Sequence, residues 1–169
     1  MTVAATASVD ALVRVPVDRA FRVTVDIDPA AGFYPRFGPL PAVLSVSDRT
    51  GPFTRVGSSR MLHLSDGGTV TETVVRAEAP ASAPGSDART GAHSYRLTGF
   101  TGLFGRLVDH ADADWRFEQH DGGTRIRWTY TFTGLPGRGG IVAVIVRLAW
   151  APYMRRVLPG IAHEVARTA

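Results

Sequence analysis

The stretch at residues 109–133, DHADADWRFEQHDGGTRIRWTYTFT, decides the fold. Two alternating runs flank Asp121-Gly122, a dipeptide that favours the two-residue type I′ hairpin turn. With those two residues as the loop, Phe117 faces Ile126, Trp115 faces Trp128, Ala113 faces Tyr130 and Ala111 faces Phe132. Side chains alternate across a strand, so all of these share one side of the sheet, the buried one. The other side pairs Glu118 with Arg125, Arg116 with Arg127 and Asp114 with Thr129, and sets Asp114 diagonal to Arg127, as a solvated face would. A slip of one residue exposes both tryptophans, so apolar pattern and turn chemistry specify the same register.

Working outward, residues 9–15 alternate as a strand and Pro16 suits the first turn of a helix reaching about Val25. Residues 26–41 hold Pro29, Gly32, Pro35, Gly38, Pro39 and Pro41, which leaves room only for a short second helix inside irregular chain. Strands are expected at 43–48, 57–65, 69–77 and 93–99, forming an antiparallel meander with the hairpin at 109–119 and 124–133. The turn around Ser65-Asp66-Gly67-Gly68-Thr69 admits two registers. A two-residue loop sets Met61 and His63 beside Val70, Glu72 and Val74; a three-residue loop with Gly68 in the left-handed region sets Arg60, Leu62 and Leu64 there. Residues 79–92, rich in Ala, Ser, Pro and Gly, read as a flexible connection. From about Gly139 one long helix is expected, bent at Pro152, with Val144, Leu148, Ala151, Leu158, Ala162 and Val165 as the stripe lying on the sheet. An ideal wheel adds Arg155 to that stripe.

Composition narrows the function. A chain of 169 residues with 44% hydrophobic content suits one packed domain. The absence of cysteine excludes disulfides, thiolate catalysis and cysteine metal sites. The net charge of +4 comes from 19 basic residues that are all arginine and are scattered, without the aromatic-interleaved stripe of a nucleic-acid surface. The longest apolar stretch, 141–150, falls short of the about 20 residues of a membrane span. The opening MTVAATASVD lacks a basic segment followed by an apolar run, so a cytoplasmic protein is expected, as monomer or homodimer. His63, His93, His110, His120 and His163 have no metal-ligand spacing, and neither a phosphate-cradling glycine loop nor a GxSxG elbow occurs. No cofactor and no metal are expected.

The order of strand, helix, short helix, six further strands and long helix resembles the helix-grip fold of the START/Bet v 1-like (SRPBCC) superfamily, and within it the bacterial polyketide cyclase/dehydrase-type proteins. The residues that carry this resemblance are Val15-Pro16-Val17-Asp18-Arg19-Ala20-Phe21, GTVTETVV from Gly68, SYRLTG from Ser94, and DGGTRIRWTYTF from Asp121. It implies an α+β fold in which a curved seven-stranded antiparallel sheet wraps the C-terminal helix, with two short helices after the first strand. It also implies a cavity for a small hydrophobic molecule, and a reaction class of cofactor-free cyclisation or dehydration. A carrier or sensor of a lipid or aromatic ligand requires the same cavity without an acid/base pair; an interaction domain requires none.

Trp115, Trp128, Tyr130 and Phe132 project to the buried face and supply the aromatic walls of a small-molecule site. Residues 98–108, TGFTGLFGRLV, form a loop apolar enough to serve as a lid. Glu72, between valines, is the first candidate for a catalytic carboxylate; its competing role is a structural ion pair with Arg60 or Arg96. In the two-residue register His63 completes an acid/base pair with it, and in the other His63 faces solvent. Tyr130 and Tyr95 offer hydroxyls that polarise a ligand carbonyl, with an ordinary core role as the alternative. Arg60, Leu148, Trp150 and Tyr34 complete the expected substrate-binding lining, and an arginine or a tyrosine hydroxyl is expected to stabilise the enolate.

Overall fold

The computed structural model describes residues 3–81 and 90–167. Its centre is the expected hairpin. Strands β6 (Val108–His120) and β7 (Gly123–Gly134) pair Phe117 with Ile126, Trp115 with Trp128, Ala113 with Tyr130 and Ala111 with Phe132. Asp121 and Gly122 have φ of 35° and 77°, the two positive values a type I′ turn demands. Every one of the facing side chains is buried. On the outward side Arg116 holds Asp114 at 2.6 Å, while Arg127 reaches Asp10 at 2.8 Å instead of the diagonal Asp114.

β1 (Ala4–Val13) starts earlier than its alternation suggests, because it pairs with β7 along its whole length, from Ala4 opposite Thr133 to Val13 opposite Thr124. With β2 (Val43–Ser47), β3 (Ser59–Leu64), β4 (Thr69–Glu78) and β5 (Thr90–Thr98) it completes an open antiparallel sheet in the order β1-β7-β6-β5-β4-β3-β2. Of the connection expected at 79–92, residues 82–89 lie outside the described residues, and 90–92 belong to β5 and pair with β6.

Helix α1 (Val17–Asp26) follows Pro16, which sits one position outside it with ψ of 152°. It buries Val17, Ala20, Phe21 and Val25, and Phe21 meets Phe117 edge-on at 5.5 Å. The second short helix does not form. Residues 27–41 run through turns, because Pro29, Pro35, Pro39 and Pro41 supply no backbone donors. Phe37 and Leu40 close a small bridge around Gly38, at φ 55°, and Leu40 is driven into the core.

The β3/β4 turn takes the three-residue form. Leu64 donates to the Gly68 carbonyl at 2.8 Å, and the left-handed residue is Gly67, at φ 83°, not Gly68. Arg60 therefore opposes Glu72 and Leu62 opposes Val70.

The chain ends in one 29-residue helical run over Gly139–Arg167. It comprises α2 (Gly139–Ile145), a π turn (Val146–Trp150) and α3 (Ala151–Arg167). The interruption expected at Pro152 takes the form of this wider turn just before the proline, which has no N–H to bond back to Leu148. The wider turn shifts the helical phase, so the expected stripe holds only beyond it, with Leu158 and Val165 buried and Ala151 and Ala162 half-buried against the core. Before it the core positions are Val142, Val146 and Ala149, while Val144 and Leu148 are 56% and 66% exposed. Arg155 is also exposed.

A prediction follows from the turn at Gly122, where an added Cβ would touch nothing and only the φ of 77° opposes it. Gly122→Val should lower unfolding stability in urea by about 1–2 kcal/mol. Gly140→Ala, in the helix with equally open surroundings, should be neutral or stabilise by up to about 1 kcal/mol.

Candidate active site in the sheet's concavity

Period-two alternation aims β3, β4, β5 and β7 side chains into the concave face, where a cavity of about 90 Å³ lies. Its walls are aliphatic and aromatic, among them Leu62, Val70, Leu97, Trp128, Tyr130 and Phe132. The turns of residues 27–41 contribute Tyr34 and Leu40, and the helix contributes Trp150 and Tyr153 beside the π turn. Phe100 and Phe104, from the loop between β5 and β6, also line it, with ring centroids 6.4 Å apart.

One ion pair sits in this apolar wall. Arg60 Nε donates to Glu72 Oε2 at 2.6 Å, and both side chains are buried, at 8% and 4% exposure. The pair exists because the three-residue turn sets the two residues opposite each other. Desolvation is the largest influence on the Arg60 guanidinium and acts against its charge, but the charge and hydrogen bond of Glu72 outweigh it and raise its pKa. The Phe53 ring covers the guanidinium, with its centroid 3.6 Å from Cζ. Among the described residues, Arg60 makes no hydrogen bond through its two terminal nitrogens and Glu72 none through Oε1.

Around the pair stand hydroxyls that keep their protons. Burial pushes up the pKa of Tyr34, Tyr95, Tyr130 and Tyr153, and for Tyr34 and Tyr130 the neighbouring Tyr95 and Glu72 add to it. Tyr34 is half-buried and lines the same cavity as Arg60, Glu72 and Tyr95. The rings meet edge-on: Tyr95 and Tyr130 at 6.4 Å, Tyr130 and Trp150 at 4.8 Å, Phe132 and Trp150 at 4.9 Å. Among the described residues, the buried indole N–H groups of Trp128 and Trp150 have no hydrogen-bond partner.

The structure thus gathers Glu72, Arg60, Tyr34, Tyr95, Trp128, Tyr130, Phe132 and Trp150 on one cavity, and leaves three expected residues outside it. His63 lies on the opposite face of β3, bonded to Ser47 Oγ at 2.7 Å, because the three-residue register turns it away from Glu72. Leu148 is exposed through the phase shift of the π turn. Trp115 stacks behind Trp128 at 4.8 Å and lines instead a small chamber of about 20 Å³ that also touches Arg60, Tyr95 and Thr24.

Two residues placed around the charged pair escaped the sequence reading. Phe53 comes from the loop before β3, which has no periodicity to reveal its direction. His93 shares the inward phase of Tyr95 two residues on, a signal that was available. Its Nε2 lies 2.7 Å from the Phe53 carbonyl, so the neutral ring donates there and steadies the ring that covers Arg60. Among the described residues no group of three or more His, Cys, Asp or Glu side chains could hold a metal ion, and no helix is long and apolar enough to cross a membrane.

An open seven-stranded antiparallel sheet gripping a long C-terminal helix is the helix-grip architecture of the START/Bet v 1-like (SRPBCC) superfamily. Within it, the chain belongs to the family described as polyketide cyclase / dehydrase and lipid transport, which it matches over residues 4–166. Among solved structures it is similar to an uncharacterised protein from Rhizobium leguminosarum, at 17% identity and TM-score 0.61, covering 99% of this chain and 97% of that one. Norcoclaurine synthase from Thalictrum flavum, in complex with dopamine and hydroxybenzaldehyde, aligns at 12% identity and TM-score 0.61, over 99% of this chain and 87% of that one. Ara h 8.0201 aligns at 17% identity and TM-score 0.58, over 96% and 97%. At these identities the likeness is one of fold. No curated protein matches the chain.

His93 provides a pH test. Desolvation lowers its pKa from 6.5, against the bond to Phe53, so the folded state binds its proton less readily than the unfolded chain does. Its contribution to stability is complete above pH 6.5 and declines as pH falls from there towards the folded pKa. Chemical denaturation of wild type and His93→Gln between neutral pH and about pH 5 should show a shallower acid loss in the variant; parallel curves would contradict it.

Proposed function

We propose that the cavity holds a small hydrophobic, carbonyl-bearing or aromatic metabolite and that the protein catalyses its cyclisation or dehydration without a cofactor. The observation that carries this is the Arg60–Glu72 pair, buried at 2.6 Å with an oxygen and two nitrogen groups unengaged, in an otherwise apolar aromatic cavity. A site that needed only to hold hydrocarbon has no use for desolvated charges, which cost several kcal/mol to bury.

In this reading Glu72 takes the proton from a carbon flanked by carbonyls, and the electron pair moves onto the carbonyl oxygen, where the Arg60 guanidinium stabilises it. The enolate carbon then attacks a second carbonyl folded against it by the aromatic walls. The new alkoxide takes a proton from the Glu72 carboxylic acid, which returns Glu72 to its starting state. In a dehydration Glu72 removes a second proton from the carbon beside the carbonyl and passes it to the departing hydroxyl, which leaves as water as the carbon–carbon double bond forms, while Tyr130, protonated and in the same wall, hydrogen-bonds that hydroxyl. Trp128, Phe132, Tyr95, Tyr34 and Trp150 bind the substrate. His63 has no part, being on the outer face.

A second reading, a carrier of a lipid or aromatic molecule, is favoured by a different observation. Neither nearby histidine is placed to exchange protons with Glu72: His63 faces outward and His93 is engaged by Phe53. Native mass spectrometry of the purified protein, with extraction of retained molecules, tests the shared premise. A co-purifying aromatic or carbonyl-rich compound is expected; an empty protein that also rejects the neutral dye Nile red would overturn both readings. Glu72→Gln separates them on any compound recovered. Retained binding with turnover reduced roughly 100-fold or more is expected of the enzyme, and absence of turnover by the wild type leaves the carrier.

A further inference from the structure

The charge balance and the size of the cavity together say more about what enters it. Arg60 and Glu72 are the charged residues in its lining, and their charges cancel. The tyrosines that share the wall keep their protons, and His93 behind Phe53 is held towards its neutral form. The cavity lining therefore has no net charge. A ligand that brings an anion leaves one uncompensated charge in a low-dielectric enclosure. One that brings a neutral acceptor beside a neutral donor uses the groups as they stand: the acceptor meets the unengaged guanidinium nitrogens and the donor meets Glu72 Oε1.

Size points the same way. The space of about 90 Å³ is smaller than the roughly 150 Å³ cavity that suffices for benzene. One ring is therefore the upper bound, and it enters only if the wall that Phe100 and Phe104 help line yields; a fused polycycle exceeds that bound.

We propose that the cavity selects an uncharged ligand of about one ring whose polar end carries an adjacent hydrogen-bond acceptor and donor, as in an ortho-hydroxyaryl ketone or the enol of a β-dicarbonyl, and discriminates against the corresponding carboxylate. The proposal rests on the reading of the cavity as a ligand site. It adds a rule of charge that neither an enzyme nor a carrier by itself requires.

The test is calorimetric titration of the wild-type protein at neutral pH with ortho-hydroxyacetophenone and with ortho-hydroxybenzoate. These two share ring and hydroxyl and differ in a neutral acetyl or an ionised carboxylate group. The ketone should bind about tenfold or more tightly than the carboxylate. In Glu72→Gln, where Arg60 loses its counter-charge, the preference should reverse. Equal or tighter binding of the carboxylate by the wild type would overturn the proposal. So would failure of both probes in a protein that still takes up Nile red, which would leave the cavity as a ligand site of another kind. Failure of both probes together with rejection of Nile red would remove the ligand-site reading and this proposal with it. The wild-type comparison decides the matter even where Glu72→Gln does not fold.

Discussion

A guanidinium and a carboxylate withdrawn from water together carry a desolvation cost that the concave side of this molecule has to offset. Born-type desolvation of each ion amounts to several kcal/mol even after relaxation. A contact of 2.6 Å and a phenylalanine ring over the cation offset it here, inside a wall that also carries protonated hydroxyls. Each comes from a different element: Arg60 and Glu72 from opposed strands, Phe53 from the preceding loop, Tyr34 from the proline-rich turns, Tyr95 and Tyr130 from the next strands. The polar centre thus depends on the whole sheet keeping its register.

Beyond the β3/β4 turn that pairs the charges, the sheet is organised from β6, two positions from β4. The β6/β7 hairpin anchors the sheet through the stacked Trp115 and Trp128, and β1 and β5 pair outward from it. The long helix closes the concavity with Tyr153, Met154 and Leu158, and its π turn brings Trp150 against Tyr130 and Phe132. A proline in a helix has a local cost; its location beside the cavity associates the irregular turn with the site, as π turns often are.

What the sequence made legible follows from how many constraints agreed at each place. At the Asp121-Gly122 hairpin, turn type and alternation admitted one answer, and the observed pairs match it throughout. At Asp66-Gly67-Gly68, two adjacent glycines each suited the left-handed position and both faces held apolar residues, so local rules left the register open. The three-residue loop through Gly67 settled it, bringing Arg60 to Glu72 and removing His63. Leu148 was misplaced because an ideal wheel assumes a constant 3.6-residue turn, which the π turn violates. The second short helix failed where Pro29, Pro35, Pro39 and Pro41 interrupt the run of backbone donors. Phe53 lies in a loop, where direction is a tertiary matter that no spacing encodes.

The central claim, that Arg60 is a desolvated cation bonded to Glu72 and facing the ligand, is tested most directly by nuclear magnetic resonance of the arginine side chains. The Arg60 Nε–H signal should be sharp, slow to exchange with solvent and lost as a distinct resonance in Glu72→Gln, and the signals of its terminal nitrogens should move when ortho-hydroxyacetophenone is added. An Arg60 signal that exchanges as rapidly as those of the surface arginines and ignores the ketone would contradict it.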